Sequence, residues 1–362
     1  MHKKDVILFA NPNSPHVKRW LDLLSHTDYS VEIYHCEKSS SLTEVPCHKI
    51  FSYFGVFRYV IAGLICRFFM LSKRKNVIYH AHCTSGYGLI AYLSGVDYIV
   101  TTYGTEIFSI DSKGTMYKQI IGLILKKAKL ITTTSSGMDL ALNKYFPETT
   151  NKILRFSMGV SLEVFQYSES AGESIRKRFN LPFNETIWFA NRRITPLYNT
   201  INIVTAFQDY YKDQKSGCLI LLKDEANMKY FRKIKDIISA APDNIYIIKE
   251  TLSPSEMVSL LSLADYTISI PASDQLSASI LESMACRSIP VLTKLNSYNY
   301  LYNNKLAFFI DSMNAEVFDY LNTERLSLKK EFAEKVSIFI KNEQSDSVII
   351  EKIKSLYAKY QK

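Results

Sequence analysis

The sequence predicts an α/β chain of two doubly wound, parallel-sheet domains facing a central cleft. Short, β-branched apolar runs alternate with helix-length amphipathic segments along most of the 362 residues. Strand–helix alternation of this kind means right-handed crossovers and parallel sheets covered on both faces. The alternation comes in two series, separated by a polar stretch at 169–178. At ~100–200 residues per domain, the length also suits two separate cores.

In the first series, strands are expected at 6–10, 30–35, 76–80, 97–102, 129–134 and 152–157. Helical patterns lie between them at 16–24, 87–93, 116–127 and 137–145. The second series places strands at 186–190, 218–223, 244–249, 265–270 and 288–292, with helices at 199–211, 228–240, 253–263 and 277–286. The tail, 326–362, reads as two helices broken at 342–345. The predicted domains are 1–165 and 166–340, with a terminal helix at 341–362 packing back toward the first. Ligands of such sheets bind at the carboxyl ends of the strands, and two facing sheets make the cleft between them the default site.

Composition excludes several classes. With 47% apolar residues, 24 Tyr and 20 Phe, the chain can bury a core and is not disordered. Twelve Gly and ten Pro without a repeat exclude collagen-like or low-complexity structure. The net charge of +9 is uneven: residues 1–160 hold 19 Lys+Arg against 11 Asp+Glu, or +8, which leaves +1 for the remainder. The first half is therefore the side expected to meet something anionic. The six cysteines show no Cys-x-x-Cys spacing, so neither a zinc site nor a disulfide framework is indicated. Met1-His2-Lys3-Lys4-Asp5 passes straight into a strand-like run, too short and too soon interrupted for a signal peptide. A cytoplasmic, reducing compartment is expected.

Residues 50–71 are almost continuously apolar and aromatic, and Ser72-Lys73-Arg74-Lys75 follows. A membrane-spanning helix needs ~20 apolar residues with few charges, whereas Arg58 and Arg67 interrupt this run. Two structures fit better: a buried helix pair of the first domain, or an interfacial segment that is apolar on one face and basic at its end.

The most informative stretch is Pro271-Ala272-Ser273-Asp274-Gln275-Leu276-Ser277-Ala278-Ser279-Ile280-Leu281-Glu282, which follows a strand and opens a helix. Small side chains at Ser277, Ala278 and Ser279 let a ligand approach the first-turn amides, whose free N–H groups favour a phosphate. Glu282, just over a turn deeper, is placed to accept hydrogen bonds from a pair of ribose hydroxyls. Asp274, on the loop, could hold the hydroxyls of a bound sugar. A capped helix with a solvated Glu282 is the plainer alternative. His82, at a strand's carboxyl end, is a cleft candidate, while His80 reads as a core or strand-end residue. The two are expected on opposite faces of the strand and so do not make a two-ligand metal site. His16 starts the first helix and faces a ligand or merely the helix cap. With no Asp-x-Asp pair in the chain, cationic side chains and helix N-terminal amides, rather than a metal, are expected to bind a diphosphate.

Asp274-x7-Glu282, followed by Ser283-Met284-Ala285-Cys286-Arg287-Ser288-Ile289-Pro290-Val291, resembles the acid-x7-Glu signature of retaining GT-B glycosyltransferases. It is most similar to glycosyltransferase family 4, whose run reads Glu-Ala-Met-Ala-x-Gly-x-Pro-Val. Other pieces occur in the expected order. Asn13-Ser14-Pro15-His16-Val17-Lys18-Arg19-Trp20 resembles the first loop and helix of the acceptor domain, and His80-Ala81-His82 a strand end with a histidine pair. Tyr103-Gly104-Thr105-Glu106 resembles the His-Gly-Thr-Asp turn. Met158-Gly159-Val160-Ser161 resembles the segment before the domain linker. The resemblance spans roughly residues 5 to 310.

The family's phosphate-binding Arg and Lys lie in a Gly-Arg-Leu-x-x-x-Lys-Gly run, matched here by Arg192-Arg193-Ile194-Thr195-Pro196-Leu197-Tyr198-Asn199. Arg193 falls on the family Arg, but Tyr198 replaces the Lys. Arg192 and Lys223 are the substitutes. Arg193 with Lys223 is favoured, because adjacent strand ends point into one cleft, and Arg192 is expected to be a solvated surface arginine. Tyr103 replaces a His, Glu106 an Asp, and Asp274 a Glu.

The resemblance implies two Rossmann-like domains and transfer of a sugar from a nucleotide-sugar with retention, by front-face attack assisted by the departing phosphate and without a metal or other cofactor. Arg193, Lys223 and Asp274 would be catalytic. Glu282, Ser277, Ala278, Ser279 and Tyr198 would hold the donor. Asn13, Ser14, His16, His82, Tyr103 and Glu106 would line the acceptor side. The basic, aromatic first domain fits a glycan or lipid-linked acceptor, with the protein peripheral on the anionic inner face of the cell membrane. The implied pathway is synthesis of lipopolysaccharide, O-antigen or another cell-surface polysaccharide. No nucleic-acid motif accompanies the charge. A nucleotide-sugar epimerase of the same architecture and a non-catalytic glycosyltransferase-like subunit are the alternatives.

Overall fold

The computed structural model describes residues 4–39, 44–70, 76–214, 216–223, 227–239 and 244–361. The chain forms two compact units, one of Met1–Met158 with Asp346–Lys362, the other of Gly159–Ser345. Both are parallel-sheet α/β units of the Rossmann type.

The first unit holds β1 (Lys4–Phe9), β2 (Tyr29–His35), β3 (Cys47–Lys49), β4 (Ile78–His82), β5 (Ile99–Thr101), β6 (Leu130–Thr133) and β7 (Ile153–Arg155). They form one sheet in the order β3-β2-β1-β4-β5-β6-β7, and every pairing is parallel. On β1, Ile7 and Phe9 enter one core layer while Val6, Leu8 and Ala10 enter the other. That double burial is why the strand reads as an unbroken apolar run. The second layer is completed by Trp20 from helix Pro15–Ser25 and by Ile349, Ile353, Leu356 and Tyr357 from helix Asp346–Tyr360.

The second unit holds β8 (Ile187–Ala190), β9 (Cys218–Leu222), β10 (Ile245–Ile248), β11 (Tyr266–Ser269), β12 (Ile289–Thr293) and β13 (Phe308–Ile310), in the parallel order β10-β9-β8-β11-β12-β13. Its core centres on Trp188, whose ring lies 5.1 Å from Phe318, 5.6 Å from Tyr210 and 5.8 Å from Phe207.

Several expectations change. The polar stretch at 169–178 is helix Glu169–Arg178 of the second unit, capped by the Ser168 hydroxyl, which accepts the Ala171 N–H. It buries only Gly172 and Ile175, a stripe too narrow to show in a hydrophobic pattern, and Gly172 lets it close on Leu263 of helix Pro254–Leu263. The chain passes from one unit to the other at 158/159 and back at 345/346. Strands β3 and β13, three residues each, were not among the strands expected. The strand expected at 76–80 begins at Ile78 and runs through His82.

The described part of the segment, 50–70, is not a buried helix pair. It forms a short 3₁₀ turn (Gly55–Phe57), an α-helix (Arg58–Ile65) and a π turn (Cys66–Met70). Ala62, Gly63 and Cys66 are buried, with Gly63 so close to helix Gly86–Ser94 that a Cβ would lie 2.6 Å from Leu93 Cβ. The opposite side leaves Tyr53, Phe54, Val56, Phe57, Phe68 and Phe69 each at least 63% exposed. The following basic run, Lys73-Arg74-Lys75, lies outside the described residues. No described helix is long and apolar enough to cross a membrane.

Candidate functional site

In the second unit, strand order reverses between β8 and β11: the chain runs outward through β9 and β10, then returns to the other side of β8. A crevice opens outside the carboxyl ends of the strands at such a point. The loops after β8 and β11 are tied together there, Ala272 N–H donating to Leu197 O at 2.8 Å and Asn199 Nδ2 to Ile270 O at 2.8 Å. Asn199 takes a left-handed φ of 51°, which ends the short turn Pro196–Tyr198.

These two loops deliver a charge cluster around Arg192. Its Nη2 lies 3.0 Å from Asp274 Oδ2, with the side chains only 10% and 15% exposed. Nη2 also donates to the Tyr198 hydroxyl at 2.9 Å, and Nη1 to the hydroxyls of Ser279, at 2.9 Å, and Ser277. The guanidinium carbon sits 4.3 Å from the Tyr198 ring centroid. Tyr298 OH donates to the same Asp274 oxygen at 2.8 Å. Burial raises the Asp274 carboxyl from its ordinary value, opposed by the Arg192 charge and the Tyr298 hydrogen bond. Ser277 is the N-cap of helix Ala278–Ala285, and its side chain accepts no capping hydrogen bond. Asn191 Nδ2 donates to Ser279 O and Ser283 Oγ, both at 3.1 Å, while its Oδ1 is buried without a partner. Glu282 is half-buried one turn into the helix, on the face that carries Ser279.

Arg192 was expected on the surface; it is instead the buried centre of this cluster. The sequence could not show the two features that draw it in: a carboxylate 82 positions away and a flat ring at Tyr198. Arg193 is exposed, and so is Lys223, whose backbone N–H donates to Ile248 O at 2.8 Å beyond the end of β9. Ala278 is exposed at the first helical position. Tyr298 and Asn191 carried no signal in the sequence.

The first unit has its own switch point, between β1 and β4. His16, at the start of helix Pro15–Ser25, stacks on Tyr103 with ring centroids 4.6 Å apart. Tyr103 OH and His82 Nδ1 share a 2.5 Å hydrogen bond. His80 and His82 lie on one face of β4, not on opposite faces, since side chains two apart on a strand point the same way. Their rings are 4.5 Å apart, both edge-on to Trp20. His80 is consumed by Thr101 Oγ1 at 2.7 Å and Tyr357 OH at 3.2 Å. His82 keeps a buried Nε2 without a partner. Burial, and then nearby His16, pushes His82 down to about 3, so it is neutral at pH 7.

Glu106 is buried and accepts the N–H groups of Tyr103, at 2.7 Å, and Gly104, at 3.1 Å. Its carboxylate therefore holds the turn that presents Tyr103, where Gly104 has a φ of 140°. Asn13 is exposed and donates to Ser39 O at 2.9 Å; Ser14 is the helix N-cap. Among the described residues, no group of three or more His, Cys, Asp or Glu side chains is arranged to hold a metal ion.

Two parallel-sheet units of the Rossmann type in one chain, each with a polar cluster at its switch point, make a fold of the GT-B kind. Residues 5–135 match the family model described as "Glycosyl transferase 4-like". The chain is similar throughout its length to sucrose-phosphate synthase from Thermosynechococcus elongatus (TM-score 0.82, 12% identity, 98% of each chain covered). It is likewise similar to HepE from Anabaena, solved with UDP and glucose (0.78, 11% identity, 99% of this chain and 100% of that one). A glycosyltransferase from Rickettsia africae gives 0.76 at 17% identity, with both chains fully covered. At these identities the likeness is one of fold. No curated protein matches by sequence.

Proposed function

We propose that the chain transfers a sugar from a nucleotide-sugar to an acceptor with retention of configuration. The observation that carries this reading is the buried Arg192 guanidinium at the N-terminus of helix Ala278–Ala285, between Asp274, Ser277 and Ser279. A cation beside free helix amides is suited to hold a diphosphate. Arg192 fills the charge left vacant where Tyr198 stands for the family lysine, and it is held in place by the tyrosine that made the vacancy. In this reading the ribose lies on Glu282 and the diphosphate on Arg192 and the Ser277–279 amides. Arg193 and Lys223 add charge from the solvent side. Asp274 orients the sugar hydroxyls.

As the glycosidic bond breaks, negative charge grows on the leaving diphosphate. A fixed, desolvated guanidinium stabilises that charge more than it stabilises the bound donor, which is how it accelerates the step. The acceptor would meet His16, His82 and Tyr103. His82, neutral with an unpartnered Nε2, is suited to hydrogen-bond a hydroxyl. The complexes of HepE with UDP and UDP-glucose support uridine donors as the first to test.

The exposed aromatic side of residues 53–69 supports an acceptor carried in lipid. Tyr53, Phe54, Phe57, Phe68 and Phe69 would enter the interface of an anionic membrane, with Arg58 and Arg67 beside them. Such an enzyme would sit peripherally on the inner face of the cell membrane and assemble a cell-surface glycan, of the lipopolysaccharide or O-antigen kind.

Calorimetry with a panel of nucleotide-sugars tests the donor site. One donor should bind, and Glu282→Gln should weaken it roughly tenfold to a hundredfold, the worth of ~1.5–3 kcal/mol in charge-assisted hydrogen bonds. Unchanged affinity in a folded Gln variant removes Glu282 from the site. Release of free nucleotide without any acceptor would favour epimerase chemistry instead.

A further inference from the structure

The second unit contains a cavity of about 510 Å³ that the proposed transfer does not use. Its volume is within the ~300–1,000 Å³ typical of small-molecule sites. Its walls are mostly apolar, from Phe165, Met284, Phe332 and Ile340 among others, with Gln166 and three serines interspersed, and three cations stand along it: Arg287, Lys329 and Lys341. Among the described residues, no Asp or Glu lines it. Lys329 is committed to buried Asp265, which leaves Arg287 and Lys341, both exposed, to set the sign of the rim.

Arg287 is a second, independent observation. It follows helix Ala278–Ala285 and its C-cap Cys286, at the position where a left-handed residue ends many helices and glycine is usual. Here an arginine takes that conformation, with φ 63°. The conformation is disfavoured for a side chain with a Cβ. It nevertheless aims the guanidinium over the Tyr167 ring, 4.7 Å from its centroid, at the cavity wall. Strained backbone of this sort gathers where a side chain is held for a ligand.

We propose that this cavity binds a single-chain amphiphile with an anionic head. The alkyl or prenyl chain lies among Phe165, Met284, Phe332 and Ile340, and the phosphate or carboxylate meets Arg287 and Lys341. A neutral chain of the same length leaves the rim cations without a counter-charge and binds less well.

The test is calorimetry on the full chain with dodecyl phosphate and dodecanoate, each below its micelle concentration, against neutral dodecyl maltoside. At least one anionic amphiphile should bind with one site per chain and about tenfold or more tighter than the maltoside. Ala333→Trp, which places a large ring at the exposed cavity mouth, should abolish that binding. Arg287→Gly should weaken it about tenfold or more, as expected for loss of a charge-assisted bond, and at the same time raise the thermal midpoint by relieving the left-handed arginine. Equal affinity for the neutral amphiphile overturns the proposal. So does undiminished binding by Ala333→Trp, which would move the amphiphile to the aromatic surface at 53–69, or by Arg287→Gly.

Discussion

Removing Arg192 should make the stability of the second unit depend on pH in a direction the intact protein does not share to the same degree. Arg192 and Asp274 lie 3.0 Å apart with side chains 10% and 15% exposed. Deleting one partner of a buried ion pair leaves the other desolvated and typically costs about 3–5 kcal/mol. In Arg192→Ala the Asp274 carboxyl retains burial, which raises its pKa, and loses the arginine charge, which lowers it. Its folded pKa therefore climbs further above the unfolded value. Between the two values the native state binds more protons than the unfolded one, so stability falls as pH rises through the folded pKa and is restored below it.

The two tryptophans make the measurement local: Trp20 is in the first unit and Trp188 in the core of the second. In a Trp20→Phe background, urea unfolding followed by Trp188 fluorescence should show Arg192→Ala lowering the midpoint by about 1.5–2.5 M at pH 8, for a slope of ~2 kcal/mol per M. The loss should be clearly smaller at pH 5. Arg192→Met with Asp274→Asn should recover much of it, since replacing both partners removes the stranded charge. An equal midpoint shift at both pH values, or a double variant as unstable as the single, would refute the argument.

Lys223→Ala should lower turnover more than donor affinity if this exposed lysine adds charge to the leaving group; wild-type kcat would leave the cationic work to Arg192 and Arg193. Replacing Phe57, Phe68 and Phe69 by Ser should release the protein from anionic vesicles in a sedimentation assay, with turnover on a soluble acceptor analogue retained. Salt at 1 M, where the Debye length is ~3 Å, should weaken wild-type binding in part, and identical sedimentation with neutral vesicles would remove the electrostatic share. Gly63→Ala would bring a Cβ within 2.6 Å of Leu93 Cβ and should destabilise the first unit by about 1–3 kcal/mol, read from Trp20 in a Trp188→Phe background.

Much of the fold was legible because buried parallel strands leave a strong mark. Runs such as Val6-Ile7-Leu8-Phe9 are apolar on both faces, and helix Thr115–Lys127 spans nearly the residues its pattern predicts. Helix Glu169–Arg178 was hidden because burying Gly172 and Ile175 alone demands little hydrophobicity. For residues 53–69 the sequence left a buried helix pair and an interfacial segment both open. Apolar residues read the same whether they meet a core or solvent, and only their neighbours in space decide between the two.

The candidate site divides along the same line. The local order of Asp274, Ser277, Ser279 and Glu282 belongs to the sequence, because a helix start and its spacing are set by nearby residues. The tertiary structure alone decided that Arg192 is the buried cation, that Tyr298 shares the Asp274 oxygen, and that Glu106 spends its carboxylate on the turn of Tyr103 and Gly104. Asp274 and Tyr298 reach their partners through loops that the parallel sheet gathers at one edge. Long-range pairing of charges depends on which strand ends become neighbours, and no local pattern encodes that.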